Sequence, residues 1–354
     1  MPVQSPSEEI ASAISSLQRR LSDLRGSVQL ANIRDTIEDM LTTVNTLDQR
    51  IADLRSKGYA FDKDLEDQAE DFCQQWQKLS PTLEKQIADQ VSVLRTAIDP
   101  LDLQMRQLAR LSENPTAARP SIKSLETGLK AMEDKVKASE RTINGMYDEF
   151  NSQLGKLKSK LYKLEWMMTE LAEASFQLLP TESGIMAVKA VWAKTGEEQK
   201  DDPEGILFLT DQRLIFEQKE KVATKKVLFI ATEKETVQEL MLEVPVAMVE
   251  EIELSKKGLM KNEDHIAIKF ATGAPVQTAY FHIWQSNQEW QALINRAKAR
   301  EFDKDRAIEI DQETLDKVSS APTQCPSCGG NINQVVLRGM DSIKSGYCGF
   351  TIRL

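Results

Sequence analysis

The stretch Gly205-Ile-Leu-Phe-Leu-Thr-Asp-Gln-Arg-Leu-Ile-Phe216 marks where the chain changes character. Leu207, Leu209, Leu214 and Phe216 fall on alternate positions, hence on one face of an extended hairpin, and Asp211-Gln212 supplies the turn between its arms at 205–210 and 213–217. Working outward, short β-rich or aromatic runs predict further strands at 185–193, 227–231, 251–254, 265–270 and 278–283. The charged segment 233–243 reads as a helix. Residues 287–306 also return to helical spacing, with Trp290, Leu293, Ile294 and Ala297 on one face, so this segment is expected to cap the sheet.

Upstream of the strands, helical periodicity dominates. Apolar residues recur at Ile10, Ile14, Leu17, Leu21, Leu24 and Val28, change phase near Gly26, and resume at Ile33, Ile37, Met40, Val44, Leu47, Ile51 and Leu54. Lys57-Gly58-Tyr59 reads as a break. A second stripe runs from Leu65 through Phe72 and Trp76 to Ile98, with Pro81 and Pro100 each expected to start a helix or kink one. Residues 113–120, with two prolines, read as a turn before a third long stripe, Ile122 to Leu171. Such stripes are satisfied either by an antiparallel bundle within the chain or by a coiled coil with a second copy. Self-association through this region is the expectation carried forward.

A hairpin of this G-x-L-x-L-T-x-x-R-L-x-F form, among seven short strands and before a closing helix, resembles the PH/GRAM-like superfamily over residues 181–306. The resemblance implies a small, partly open barrel plugged by its last helix, and a surface that takes a protein or an anionic lipid. The expected fold class is therefore multidomain. An all-α coiled-coil or helical bundle (1–179) precedes a PH-like β-barrel with its capping helix (180–306), an acidic linker (307–321) and a zinc-ribbon-like knuckle (322–354). A coiled coil, a PH/GRAM-like domain and a ribbon in this order resemble bacterial multidomain proteins.

The chemistry concentrates at the end. Cys325-Pro-Ser-Cys328-Gly-Gly330 holds two thiols at metal-sharing spacing before a glycine turn, and Ser345-Gly-Tyr-Cys348-Gly349-Phe350 resembles the matching ribbon knuckle with serine in place of one cysteine. Zinc is the implied cofactor, held by Cys325, Cys328 and Cys348. The fourth position is open to Ser345, Asp341, water, a more distant residue or nothing, and the alternative is a ribbon held by its hairpin alone. Two basic turns, one with Lys225 and Lys226 and one with Lys256, Lys257 and Lys261, are candidate contacts for an anionic membrane surface. The acidic run around Glu197 and Glu198 argues against phosphate binding. His265 and His282 are read as structural, and Cys73 as a core thiol.

Length and composition bound the rest. A chain of 354 residues exceeds one hydrophobic core, and 28% charged residues with 6% aromatic suit long exposed helices. The net charge of -10, without a long Lys/Arg run, gives no expectation of nucleic-acid binding. No apolar stretch approaches the roughly 20 residues of a membrane span, and the start lacks a signal-peptide pattern, so a cytoplasmic protein is expected. The absence of a hydrolase, metalloprotease or P-loop motif makes a non-enzymatic scaffold or adaptor the leading functional expectation, with self-association and an unidentified protein partner. A peripheral membrane protein is the alternative and a metal-dependent enzyme the second.

Overall fold

Helices α1 (Pro6–Ser27), α2 (Ala31–Ser56), α3 (Leu65–Ala109) and α4 (Pro115–Glu173) occupy the first half of the chain. The computed structural model describes residues 6–227, 230–258 and 262–354, and side chains at all of these except 221–236. Two compact units emerge, one formed by Met1–Asp48 with Asp67–Lys158, the other by Gln49–Glu66 with Ser159–Leu354.

In the first unit, α3 runs antiparallel to α4. Phe72 packs on Phe150 at 5.6 Å between ring centroids, and the Ser139 hydroxyl donates to Gln90 at 2.8 Å. α1 runs the same way as α4, with Arg20 bonded to Glu133 at 2.8 Å and Arg119 to Glu9 at 3.5 Å. Ile10, Ile14, Leu17, Leu21, Leu24 and Leu83 are buried, so the apolar stripes of this unit are covered within one chain. Pro81 and Pro100 both lie inside α3, each forgoing one backbone bond without ending the helix. The turn expected over 113–120 is shorter than that. Asn114 accepts from the Ala117 N–H at 3.2 Å and acts as the cap, and Pro115 takes the first helical position, where its missing N–H costs nothing.

In the second unit, β1 (Gly184–Trp192), β2 (Glu204–Thr210), β3 (Arg213–Val227), β4 (Ile230–Pro245), β5 (Val249–Lys257), β6 (Glu263–Phe270) and β7 (Thr278–Ile283) form one antiparallel sheet. Its order is β4-β3-β2-β1-β7-β6-β5, so the meander closes by pairing β1 with β7. Helix α5 (Asn287–Lys298), capped by the Ser286 side chain, buries Trp290 and Ile294 completely. Leu207, Leu209, Leu214 and Phe216 point into this core as the alternation requires, with Phe216 and Phe281 rings 5.3 Å apart. Phe208 on the other face is buried too, because Phe176 covers it at 5.3 Å.

Two expectations are corrected here. Residues 233–243 belong to β4, a strand that pairs with β3 from Arg213↔Pro245 to Val227↔Ile230. A bulge between Phe216 and Glu217 interrupts the alternation and disguises the strand. Gly205 serves this region, since a Cβ there would sit 2.0 Å from the Glu217 carbonyl oxygen. The linker 307–321 is not featureless. Ala307 N–H bonds to the Ala60 carbonyl at 2.8 Å, and Asp311 then caps a two-turn helix, α6 (Gln312–Ser319). The break expected at Lys57-Gly58-Tyr59 is present, since α2 ends at Ser56, and the loop that follows joins the β unit. Ser183 Oγ donates to the Gly58 carbonyl at 2.9 Å, and Phe61 packs on Phe302 at 5.4 Å.

The C-terminal segment pairs β8 (Ser342–Lys344) with β9 (Thr351–Arg353) over a core of Cys325, Ile343 and Ile352. Among the described residues, no helix is long and apolar enough to cross a membrane.

Candidate functional site

The two C-terminal turns share one backbone design. Cys325 N–H bonds to the Gly330 carbonyl and Gly329 N–H to the Cys325 carbonyl, both at 2.8 Å; Ser345 N–H bonds to Phe350 and Gly349 N–H to Ser345, both at 2.9 Å. Gly329 and Gly349 adopt φ of 69° and 73°, the left-handed conformation that glycine reaches without strain. Ser345 therefore stands where the first turn has Cys325.

These turns bring the predicted ligands together. The three thiol sulfurs lie within 4.8 Å of one another, with Cys325 Sγ 3.6 Å from Cys348 Sγ and Ser345 Oγ 3.8 Å from Cys328 Sγ. Zinc bonds of about 2.3 Å put two thiolates on one tetrahedral ion about 3.8 Å apart, so the residues fit that ion. Burial works against ionising Cys325, but N–H donors at Cys328 and Ser327 and the Ser345 hydroxyl bring its pKa down to about 7. Ser345 is itself buried and faces the cluster, which favours it over Asp341 for the fourth position.

How the C-terminal segment is seated could not be read from its residues alone. The Thr210-Asp211-Gln212-Arg213 turn of the opening motif holds it. Gln212 accepts from Arg338 N–H at 2.5 Å and donates to the Arg338 carbonyl at 3.1 Å, while the Arg338 guanidinium binds Asp211 and, at 2.8 Å, Asp303. Asp211 also takes Arg306 at 2.7 Å and accepts from Ser183 N–H at 3.1 Å. Arg213 turns the other way, to Glu182 and to Glu243 at 2.7 Å. Asp211 is only 2% exposed at its side chain, so this is a buried charge network. Desolvation raises the Asp211 pKa, and the two arginines pull against it.

The basic turns are less available than their sequence implies. Lys256 is paired with Asp264 at 2.6 Å, and Lys257 donates to the Gly196 carbonyl at 3.1 Å. Lys225 and Lys226 lie in β3 opposite Glu233 and Ala231, with their side chains outside the described residues, and Lys261 lies outside them altogether. Cys73 is half-buried, and burial raises its pKa. His265 and His282, far apart in sequence, are cross-strand neighbours.

A second surface also escaped the sequence. Trp284, just beyond β7, is 57% exposed and borders a cleft of about 380 Å³ lined by Lys189, Glu204, Gly205, Ile206, Lys219 and Glu220. Its only sequence signal was a tryptophan placed after a strand end.

An antiparallel seven-stranded meander closed by a C-terminal helix is the architecture of PH-like domains. The β unit is PH-like. No protein-family model and no curated protein matches the chain. Among solved structures, the Vps36 N-terminal PH domain aligns at 14% identity and TM-score 0.23, over 35% of this chain and 85% of that one. A DUF1696 family protein with a pleckstrin-homology domain from Shewanella loihica PV-4 aligns at 12% and 0.22, over 38% and 92%. The DH/PH fragment of PDZRHOGEF, solved with human RhoA, aligns at 11% and 0.24, over 84% and 96%. At these scores the fold assignment rests on strand order and the closing helix.

Proposed function

We propose that this protein is a non-enzymatic cytoplasmic adaptor whose PH-like unit and ribbon together bind a protein partner. The observation that carries this reading is the exposed Trp284 beside a cleft of mixed character. Tryptophan at the rim of a concave, part-apolar surface is the residue type that most often anchors a protein interface. The charges around it favour a polypeptide over a lipid headgroup. Lys219 is committed to Glu170 and Glu173, both at 2.7 Å, and Glu204 and Glu220 would oppose a phosphate. Tyr347 and Phe350, 71% and 46% exposed, offer the ribbon a second apolar contact. Zinc held by Cys325, Cys328 and Cys348 with Ser345 would close the ribbon as a structural ion. The helical unit covers its own stripe, so a second copy would have to cover residues such as the exposed Val93 and Leu103.

Affinity capture of the full chain tests this, with Trp284→Ala as the comparison. The partner is expected in the wild-type eluate and depleted at least about tenfold in the variant, the scale of a hot-spot truncation. Equal capture by both proteins contradicts the reading. Salt-sensitive flotation with anionic vesicles, unchanged by Trp284→Ala, would replace it with a membrane-docking one.

A further inference from the structure

The strand register creates a cluster of metal-ligating side chains well away from the ribbon cysteines in sequence. β6 and β7 pair His265 directly opposite His282, and the rings stack at 4.6 Å with an 18° tilt. Glu198, from the loop between β1 and β2, reaches over to place Oε2 2.8 Å from His282 Nδ1. One ligand atom from each of the three residues lies within 4.8 Å of the others. Beyond His282, Trp284 stacks at 4.3 Å.

His265 carries the argument. It is 6% exposed, and its Nε2 has no hydrogen-bond partner among the described residues. The Glu263 carboxylate approaches that nitrogen only to 3.8 Å. A buried ring nitrogen left without a partner is costly, and such groups ask for an explanation. Two imidazoles with a carboxylate form a donor set suited to divalent transition ions, and Glu263 stands near enough to add a fourth donor atom, an oxygen.

We propose that Glu198, His265 and His282 form a binding site for a divalent transition-metal ion. Parallel rings direct their lone pairs in parallel planes, so one ion joins both only when an imidazole turns about χ2. Glu198 sits on an exposed loop and can move, whereas His282 is buried between His265 and Trp284, so its turn requires the exposed Trp284 ring to shift. Bonds of about 2.1 Å then bring the ligand atoms to about 3.4 Å from one another. The ion would tie the β1–β2 loop to strands β6 and β7 and fix the ring on which Trp284 stacks.

Cobalt(II) titration of chelator-treated full-length protein tests the site, because thiolate-to-cobalt charge-transfer bands separate sulfur-bound ions from nitrogen- and oxygen-bound ones. The wild type is expected to bind one ion that lacks thiolate bands, whatever the ribbon binds. Glu198→Gln, a change on an exposed loop, should weaken that ion by at least about tenfold. His282→Asn should abolish it, with unchanged far-ultraviolet circular dichroism in both variants. Absence of any ion without thiolate bands overturns the proposal. So does a sulfur-free ion whose affinity is the same in wild type and Glu198→Gln.

Discussion

The seven-stranded sheet and the C-terminal hairpin segment beside it are held by different means. The sheet buries Trp290, Phe208, Phe216 and Phe281 almost completely, a core that needs no further support. The C-terminal segment offers only Cys325, Ile343 and Ile352 as buried hydrophobic residues among those described, with Ile332, Val336, Met340 and Leu354 packed partly against them. A module that small does not bury enough apolar surface to balance the entropy of ordering its chain. The Arg338 clamp on Asp211 and Gln212 compensates, and zinc on the cysteine cluster would do so as well on the proposed reading. Hydrophobic burial thus holds one region and polar chemistry the other.

The largest expected effect comes from chelation. Structural zinc contributes on the order of 10 kcal/mol to the folding of small modules. A strong chelator should therefore collapse the amide resonances of residues 322–354 and leave those of the sheet in place, as read by two-dimensional NMR. Ribbon resonances that persist without metal would show that the hairpin and clamp suffice.

Asp211→Asn should come next. It leaves Arg306 and Arg338 buried without their shared carboxylate, and breaking such a network costs about 3–5 kcal/mol. Proteolysis should then release the ribbon while the sheet stays protected. Equal resistance in wild type and variant would mean the clamp contributes little.

Ser345→Cys is the smallest of the three. Because Ser345 repeats the backbone of Cys325, a thiolate there should enter the cluster without moving the chain, raising zinc affinity by at least about tenfold. Unchanged affinity in competition with a chromophoric chelator would place the fourth ligand elsewhere.

How much of this was legible follows from the range of each interaction. Strands β1, β2, β6 and β7 and helix α5 follow from spacing, because Leu207, Leu209 and Trp290 repeat at the period of their own element. β4 was hidden because the bulge pairs Glu217 with Leu240 and Phe216 with Leu242, shifting the apolar positions out of register. The helix in the linker did carry a signal, Asp311 three residues before Thr314, which its acidic composition obscured. The clustering of Cys325, Cys328 and Cys348 was legible as a motif. The clamp was not, since Asp211 and Arg338 are brought together only by the folded chain. The stacked histidines depend likewise on the β6–β7 register.

The most direct test of the adaptor account is a photo-crosslinking amino acid placed at position 284 of the full chain in cells, with position 93 of the helical unit as the comparison. Crosslinks to a different protein at 284, weak or absent at 93, are the predicted result. Absence of any heterologous crosslink at 284, or crosslinks only between copies of this chain, would contradict it.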